Sequence, residues 1–164
     1  MTTGNVPHSW PDLSGRIVRD ETGQRHVLPV RVYFEDTDAG GVVYHASYVR
    51  FCERGRTDFL RLLGSDARGM IDGSDSMEPA AFVVRRMNCE FLRPARMDAL
   101  LEIETRVEEL GGASVTLLQV ISAQGRPIFE AEVTVVLVSM SGKPLRLSDT
   151  VRAAFLAHKN SLSP

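Results

Sequence analysis

The groups best suited to chemistry crowd into one stretch, Glu-Asp-Thr-Asp-Ala-Gly-Gly-Val-Val-Tyr-His-Ala-Ser-Tyr, residues Glu35 to Tyr48. Asp36 and Asp38 supply carboxylates, which when ionised can take a proton from water or attack a carbonyl carbon. Gly40 and Gly41 permit a sharp or left-handed turn, so that backbone and ligand can approach closely. Tyr44 and His45 add a phenol and an imidazole. Taken by itself, an Asp-x-Asp followed by two glycines is more often a capped turn than a site.

The flanking elements must hold this stretch in place. Val30, Val32 and Phe34 alternate with Arg31, Tyr33 and Glu35, which predicts a half-buried strand delivering the chain to Asp36 and Asp38. Beyond the stretch, Tyr48, Cys52, Gly55, Phe59 and Leu62 or Leu63 recur at steps of three and four. That spacing predicts one amphipathic helix from about Ala46 to Leu63, stopped by Gly64. Residues Ser65 to Pro79 read as a connection and a candidate mobile rim, with a short helical turn expected at Ala67 to Ile71. A strand is expected from Ala81 to Leu92, where the apolar phase slips between Phe82-Val84 and Met87-Cys89-Phe91. A bulge near Arg85 accounts for the slip, and Pro94 ends the strand.

Strict alternation at 101–108 and 129–137 predicts two more strands, with a third between them at 114–123. Gly111-Gly112 and Gln124-Gly125-Arg126 are their hairpin turns, so these strands should run antiparallel. A short helix from Asp149 to His158, capped by Ser148 or Asp149, closes the chain. The first 27 residues carry no sustained period and are expected to be a loose extension with Trp10 as its one strong anchor, and 159–164 a tail.

Together these elements make a single α+β domain in which one helix is covered by a curved sheet. Leu118, Val120, Val136 and Val138 then leave a second apolar face, which a second copy would cover, so a homo-oligomer is expected. A formal charge of −2 gives no electrostatic case for nucleic acid. No apolar run approaches the roughly 20 residues that span a bilayer, and no basic segment followed by an apolar run opens the chain; stable membrane insertion is not expected, and the cytoplasm is. Cys52 and Cys89 lie far apart within apolar patterns and are expected as buried free thiols. His8, His26 and His158 are isolated, with no metal-ligand spacing.

The run RVYFEDTDAGGVVYHASYVRFCERGRTDFL resembles the signature of the hotdog-fold thioesterases of the 4-hydroxybenzoyl-CoA type. It is most similar to the acyl-CoA thioesterases associated with the Tol-Pal cell-envelope system. The likeness continues through AFVVRRMNCEFLRPARMDALLEI and EAEVTVVLV, covering about Pro29 to Phe155. This resemblance implies a five-stranded antiparallel sheet wrapped around one long helix, a dimer or dimer of dimers, and active sites at the subunit interface. It implies an acyl-CoA thioesterase in which Asp38 is nucleophile or general base. The N–H of His45, at the helix start, would polarise the thioester carbonyl, and its imidazole could orient substrate or relay a proton.

Tyr44, Gly41 and Val42 are then expected to contact substrate, Asp36 to brace the turn, and Glu53 to pair with Arg54 or Arg56. Coenzyme A would be part of the substrate, with no separate cofactor or metal, and Arg85, Arg86, Arg93 and Arg96 are candidates for its phosphates. Acyl-chain selection would depend on how Phe51, Phe59, Phe82 and a second subunit pack. The competing reading is a non-hydrolytic module binding acyl-CoA or acyl carrier protein. A dehydratase on the same fold lacks its expected His-centred motif here.

Overall fold

The computed structural model describes residues 15–64 and 79–159. Strands β1 (Arg16–Asp20), β2 (Gly23–Arg31), β3 (Ala80–Phe91), β4 (Leu100–Leu110), β5 (Ser114–Ala123) and β6 (Arg126–Ser139) form one antiparallel sheet in the order β1-β2-β4-β5-β6-β3. Helix α1 (His45–Leu62) lies across β2, β4 and β5, and α2 (Asp149–Leu156) follows the last strand. This is the expected hotdog architecture with one strand added, because β1 extends the sheet beyond β2.

The alternating strands turn one row of side chains to the helix. Leu101, Ile103, Val115, Leu117, Ile121, Phe129, Val133 and Leu137 are buried there with Phe51, Cys52 and Phe59 of α1. Each large side chain so buried contributes about 1.5–3 kcal/mol relative to exposure. Gly55 lets α1 come close: a Cβ at that position would stand 2.8 Å from Ile103 Cγ2. Gln119 anchors the same contact, donating at 2.9 Å both to the Cys52 carbonyl and to Thr105 Oγ1, while Arg56 donates to its Oε1 at 2.8 Å. Buried polar groups thus satisfy one another directly beneath the helix.

The apolar phase slip in β3 has the expected cause. Val84 pairs with Val135 and Arg86 with Thr134, leaving Arg85 as the extra residue of a bulge. Both hairpin turns fall where glycine placed them, with Gly125 at φ +71°. Ser148 caps α2 by accepting from the Val151 N–H at 3.3 Å.

Two expectations change at the N-terminal side. Residues 16–27, read as part of a loose extension, form β1 and the first part of β2, and His26 is fully buried. Its Nε2 lies 2.7 Å from Asp58 Oδ2 on α1, and the same oxygen accepts the Gly15 N–H at 2.7 Å. Short strands with mixed charge carry no apolar period of their own, so this tertiary pairing leaves no local signature. The strand before the Asp-rich stretch also stops sooner than alternation suggested. It ends at Arg31, and Phe34 sits in a single 3₁₀ turn (Phe34–Asp36), 81% exposed. Trp10, the connection 65–78 with its expected helical turn at 67–71, and the tail 160–164 lie outside the described residues.

Candidate active site

Residues 32–48 run from the end of β2 through a double turn into α1, and each turn is held by named bonds. Asp36 is buried, accepts the Tyr33 N–H on Oδ2 at 2.9 Å, and offers its carbonyl to the Tyr44 N–H at 2.9 Å. It braces the loop, as expected. Across the second turn the Asp38 N–H donates to Val42 O at 2.9 Å and Asp38 O accepts from the Gly41 N–H at 3.0 Å. Gly41 takes φ +71°, a left-handed conformation that favours glycine.

The Asp38 side chain is exposed and divided in its duties. Oδ1 accepts the Gly40 N–H at 2.8 Å, while Oδ2 has no partner among the described residues. One oxygen fixes the carboxylate through the loop backbone, and the other is unpaired among the described residues.

Helix α1 starts without a side-chain cap and without an acidic residue in its first turn. The amides of Val43, Tyr44 and Ser47 are taken by the carbonyls of Ala95, Asp36 and Tyr44. Those of His45 and Ala46 have no acceptor among the described residues. Two vacant N–H groups at the positive end of a helix dipole can receive developing negative charge on an oxygen.

Beside them is a cavity of about 230 Å³ walled by Val43, His45, Tyr48, Phe91 and the Arg93-Pro94 step. Rings give it shape: Tyr44 stands 4.4 Å from His45, and Phe91 meets His45 edge-on at 6.4 Å. Arg93 reaches Pro127 O at 2.6 Å, and Arg96 Nη1 stands 3.9 Å from where a Gly41 Cβ would be. Asp38, Gly41, Val42, Tyr44, His45 and Arg93 therefore share one end of the molecule.

Arg85 and Arg86 do not join them within one chain. They are exposed on the middle of β3, with Arg86 3.5 Å from Glu132. The strand from Arg85 to Phe91 spans about 20 Å at 3.3 Å per residue. Glu53 is spent structurally, 2.9 Å from Arg56. Of the expected pocket residues, Phe51 is entirely in the core, whereas Phe59 and Phe82 line a separate groove of about 180 Å³ with Leu60 and Phe155. Burial pushes the Cys52 thiol up to about 12, which leaves it a packing group.

Sequence reasoning singled out Arg93 and Arg96 in segment 92–99 but missed the path of that segment. It crosses behind the Asp38 loop, pairing Val42 with Arg96 and exchanging bonds between Val32 and both Asp98 and Ala99. Its inner contact is the Tyr48 hydroxyl, which accepts the Ala95 N–H at 3.0 Å. Pro94 announced the end of a strand but nothing about what the following residues would touch.

With this geometry in place, comparison with known proteins is decisive. The family model described as Thioesterase superfamily matches residues 40–130. The chain belongs to the thioesterase superfamily. Over 129 residues it is 46% identical to the acyl-CoA thioester hydrolase YbgC of Escherichia coli, covering 77% of this chain and 92% of that protein. The crystal structure of a probable thioesterase from Bartonella henselae superposes with TM-score 0.72 at 43% identity, covering 76% of this chain and 99% of the other. A gentisyl-coenzyme A thioesterase gives TM-score 0.70 at 28% identity over 79% of this chain and 98% of its own. The chain is thus a thioester hydrolase with the hotdog fold. The family match begins at Gly40, so His45, Tyr44 and Arg93 fall inside it and Asp38 two residues before it.

Proposed function

We propose that this enzyme hydrolyses acyl-CoA thioesters to free acid and coenzyme A, with Asp38 as the reacting carboxylate and the start of α1 as the oxyanion site. The observation that carries this reading is the pairing of an open Asp38 Oδ2 with two vacant amides, His45 and Ala46, on one continuous loop-helix unit. The acyl-CoA substrate of the Escherichia coli relative and the gentisyl-CoA substrate of the structural neighbour support the substrate class.

The thioester carbonyl oxygen would accept from the helix-start amides, each such donor being worth about 3 kcal/mol to a transition state that gathers charge there. Asp38 then acts by one of two routes. As a base it takes a proton from water, whose oxygen bonds to the carbonyl carbon as the C–S bond breaks. The proton passes to the departing CoA thiolate. As a nucleophile it bonds to that carbon itself, releasing the thiolate, and water opens the resulting anhydride. Both need the carboxylate ionised and the same carbonyl position.

Arg93 and Arg96 would meet phosphates of coenzyme A from within the chain. Arg85 and Arg86 would contribute from a second copy, which accords with a dimer or dimer of dimers whose sites form between subunits. We assign the protein to the cytoplasm and to work alongside the Tol-Pal envelope system, on the strength of the sequence resemblance, with acyl carrier protein as the alternative acyl carrier to CoA. Among the described residues no helix is long and apolar enough to cross a membrane.

Thiol release from a panel of short aliphatic, hydroxybenzoyl and long-chain acyl-CoAs tests the function. Turnover of at least one class is expected; tight binding of all with no free thiol would make the protein a binding module instead.

A further inference from the structure

Asp38 stands on a loop and the vacant amides on a helix, so their spacing has to be fixed by something that holds both. We propose that the Tyr48 hydroxyl is a positioning group for thioester hydrolysis, locking the helix start in register with the Asp38 loop through the N–H and the carbonyl of Ala95. This rests on the assignment of Asp38 and the helix-start amides made above.

Tyr48 lies three residues beyond His45, which puts it one turn along and on the same side of α1. It is 4% exposed, and its hydroxyl accepts the Ala95 N–H at 3.0 Å. Ala95 is itself buried, and its carbonyl accepts the Val43 N–H at 2.9 Å. The next residue, Arg96, pairs with Val42. One residue of the crossing segment therefore holds the helix on its N–H side and the catalytic loop on its carbonyl side. Among the described residues no other side chain of α1 bonds to 92–99.

The ring is not what needs the hydroxyl. It stacks on Phe129 at 5.3 Å and meets Phe91 edge-on at 5.8 Å, contacts that a phenylalanine would keep. Without the hydroxyl, the buried Ala95 N–H loses its acceptor and the segment must shift to find another. Because it also carries Val43, that shift moves Asp38 relative to the helix. Displacements near 1 Å cost about a hundredfold in rate when reacting groups are preorganised.

The test is Tyr48→Phe in the full-length protein, assayed by thiol release on the acyl-CoA that the parent enzyme turns over fastest, with Asp38→Asn in parallel. The expected result is a kcat lowered by about tenfold to a hundredfold with KM moved less than about twofold, in protein folded at the assay temperature. Amide exchange should quicken together in 42–48 and 92–99, a readout that serves even where the melting midpoint falls. A purely structural role would lower the midpoint and leave kcat per folded enzyme unchanged. A folded Tyr48→Phe enzyme with kcat within about twofold of the parent, or unchanged exchange in both segments, overturns the proposal while an inert Asp38→Asn leaves the parent reading standing. An active Asp38→Asn removes the Asp38 assignment and the Tyr48 role with it.

Discussion

His45 separates two jobs that one residue can do, because its N–H belongs to the backbone and its imidazole to the side chain. It is the first residue of α1, a position where proline is tolerated, and Tyr44 before it is already extended at φ −62°, ψ 136°. His45→Pro therefore deletes the amide while the helix still forms. We expect kcat to fall by about 10²–10³ in His45→Pro, as for loss of one oxyanion donor, and by less than about tenfold in His45→Ala, which keeps the N–H. Thiol-release kinetics on the two variants check this; equal losses would assign the work to the imidazole. The loop-helix unit that carries Asp38 and His45 was legible because one contiguous motif spans it. The Tyr48 hydroxyl was not, because in sequence Tyr48 is only an apolar step on a helix stripe and its donor is 47 residues away.

At the level of elements, α1 was legible to within one residue at each end, since three- and four-residue spacing and a following glycine fix it. What it packs against was less so. Gly55 looks like a weak point in a helix, yet it is where α1 touches the sheet. A Gly→Ala change in an open helix interior stabilises by up to about 1 kcal/mol, whereas Gly55→Ala should destabilise by about 1–3 kcal/mol through overpacking on Ile103, Gln119 and Thr105. Denaturant melts check the sign.

The His26-Asp58 clasp between β2 and α1 gives a pH signature. His26 is neutral at neutral pH, with Nε2–H donating to Asp58 and Nδ1 without a partner among the described residues. Protonation would bury an unpaired Nδ1–H. Burial accordingly holds its pKa below the ordinary value, against the opposing pull of Asp58. The unfolded chain takes up this proton near pH 6.5 and the folded chain only at lower pH. Below about pH 6.5 the unfolded state binds more protons, so stability rises with pH through that window and is lost on acidification. The melting midpoint should drop from about pH 7 to about pH 5, and His26→Phe should flatten that slope; an unchanged slope would contradict the account. Neither partner hinted at the other in sequence, since His26 lies in a segment without period and Asp58 on a charged helix face.

On the scale of the whole molecule, the second apolar face read from Leu118, Val120, Val136 and Val138 is half-buried in the chain by itself. The edge strand β3 adds exposed Val83, Val84 and Phe91. An edge with free backbone groups and apolar side chains invites pairing with a second copy. Light scattering should give a multiple of the 18.1 kDa chain mass, and a dilute, fully active monomer would remove the interface from the site. Fold class was readable because β4, β5 and β6 alternate and the two turns that join them carry glycine. Contacts that cross between elements carry no such period, which is why the N-terminal hairpin and the 92–99 crossing emerged only in three dimensions.

The central claim is that the open oxygen of Asp38 does the chemistry, and Asp38→Asn tests it most directly. The amide oxygen can keep the Gly40 N–H bond, and the residue is exposed, so the melting midpoint should stay close to that of the parent. Thiol release on the best acyl-CoA should fall by about 10²–10⁴ in kcat. A folded Asp38→Asn enzyme turning over at near the parent rate would contradict it.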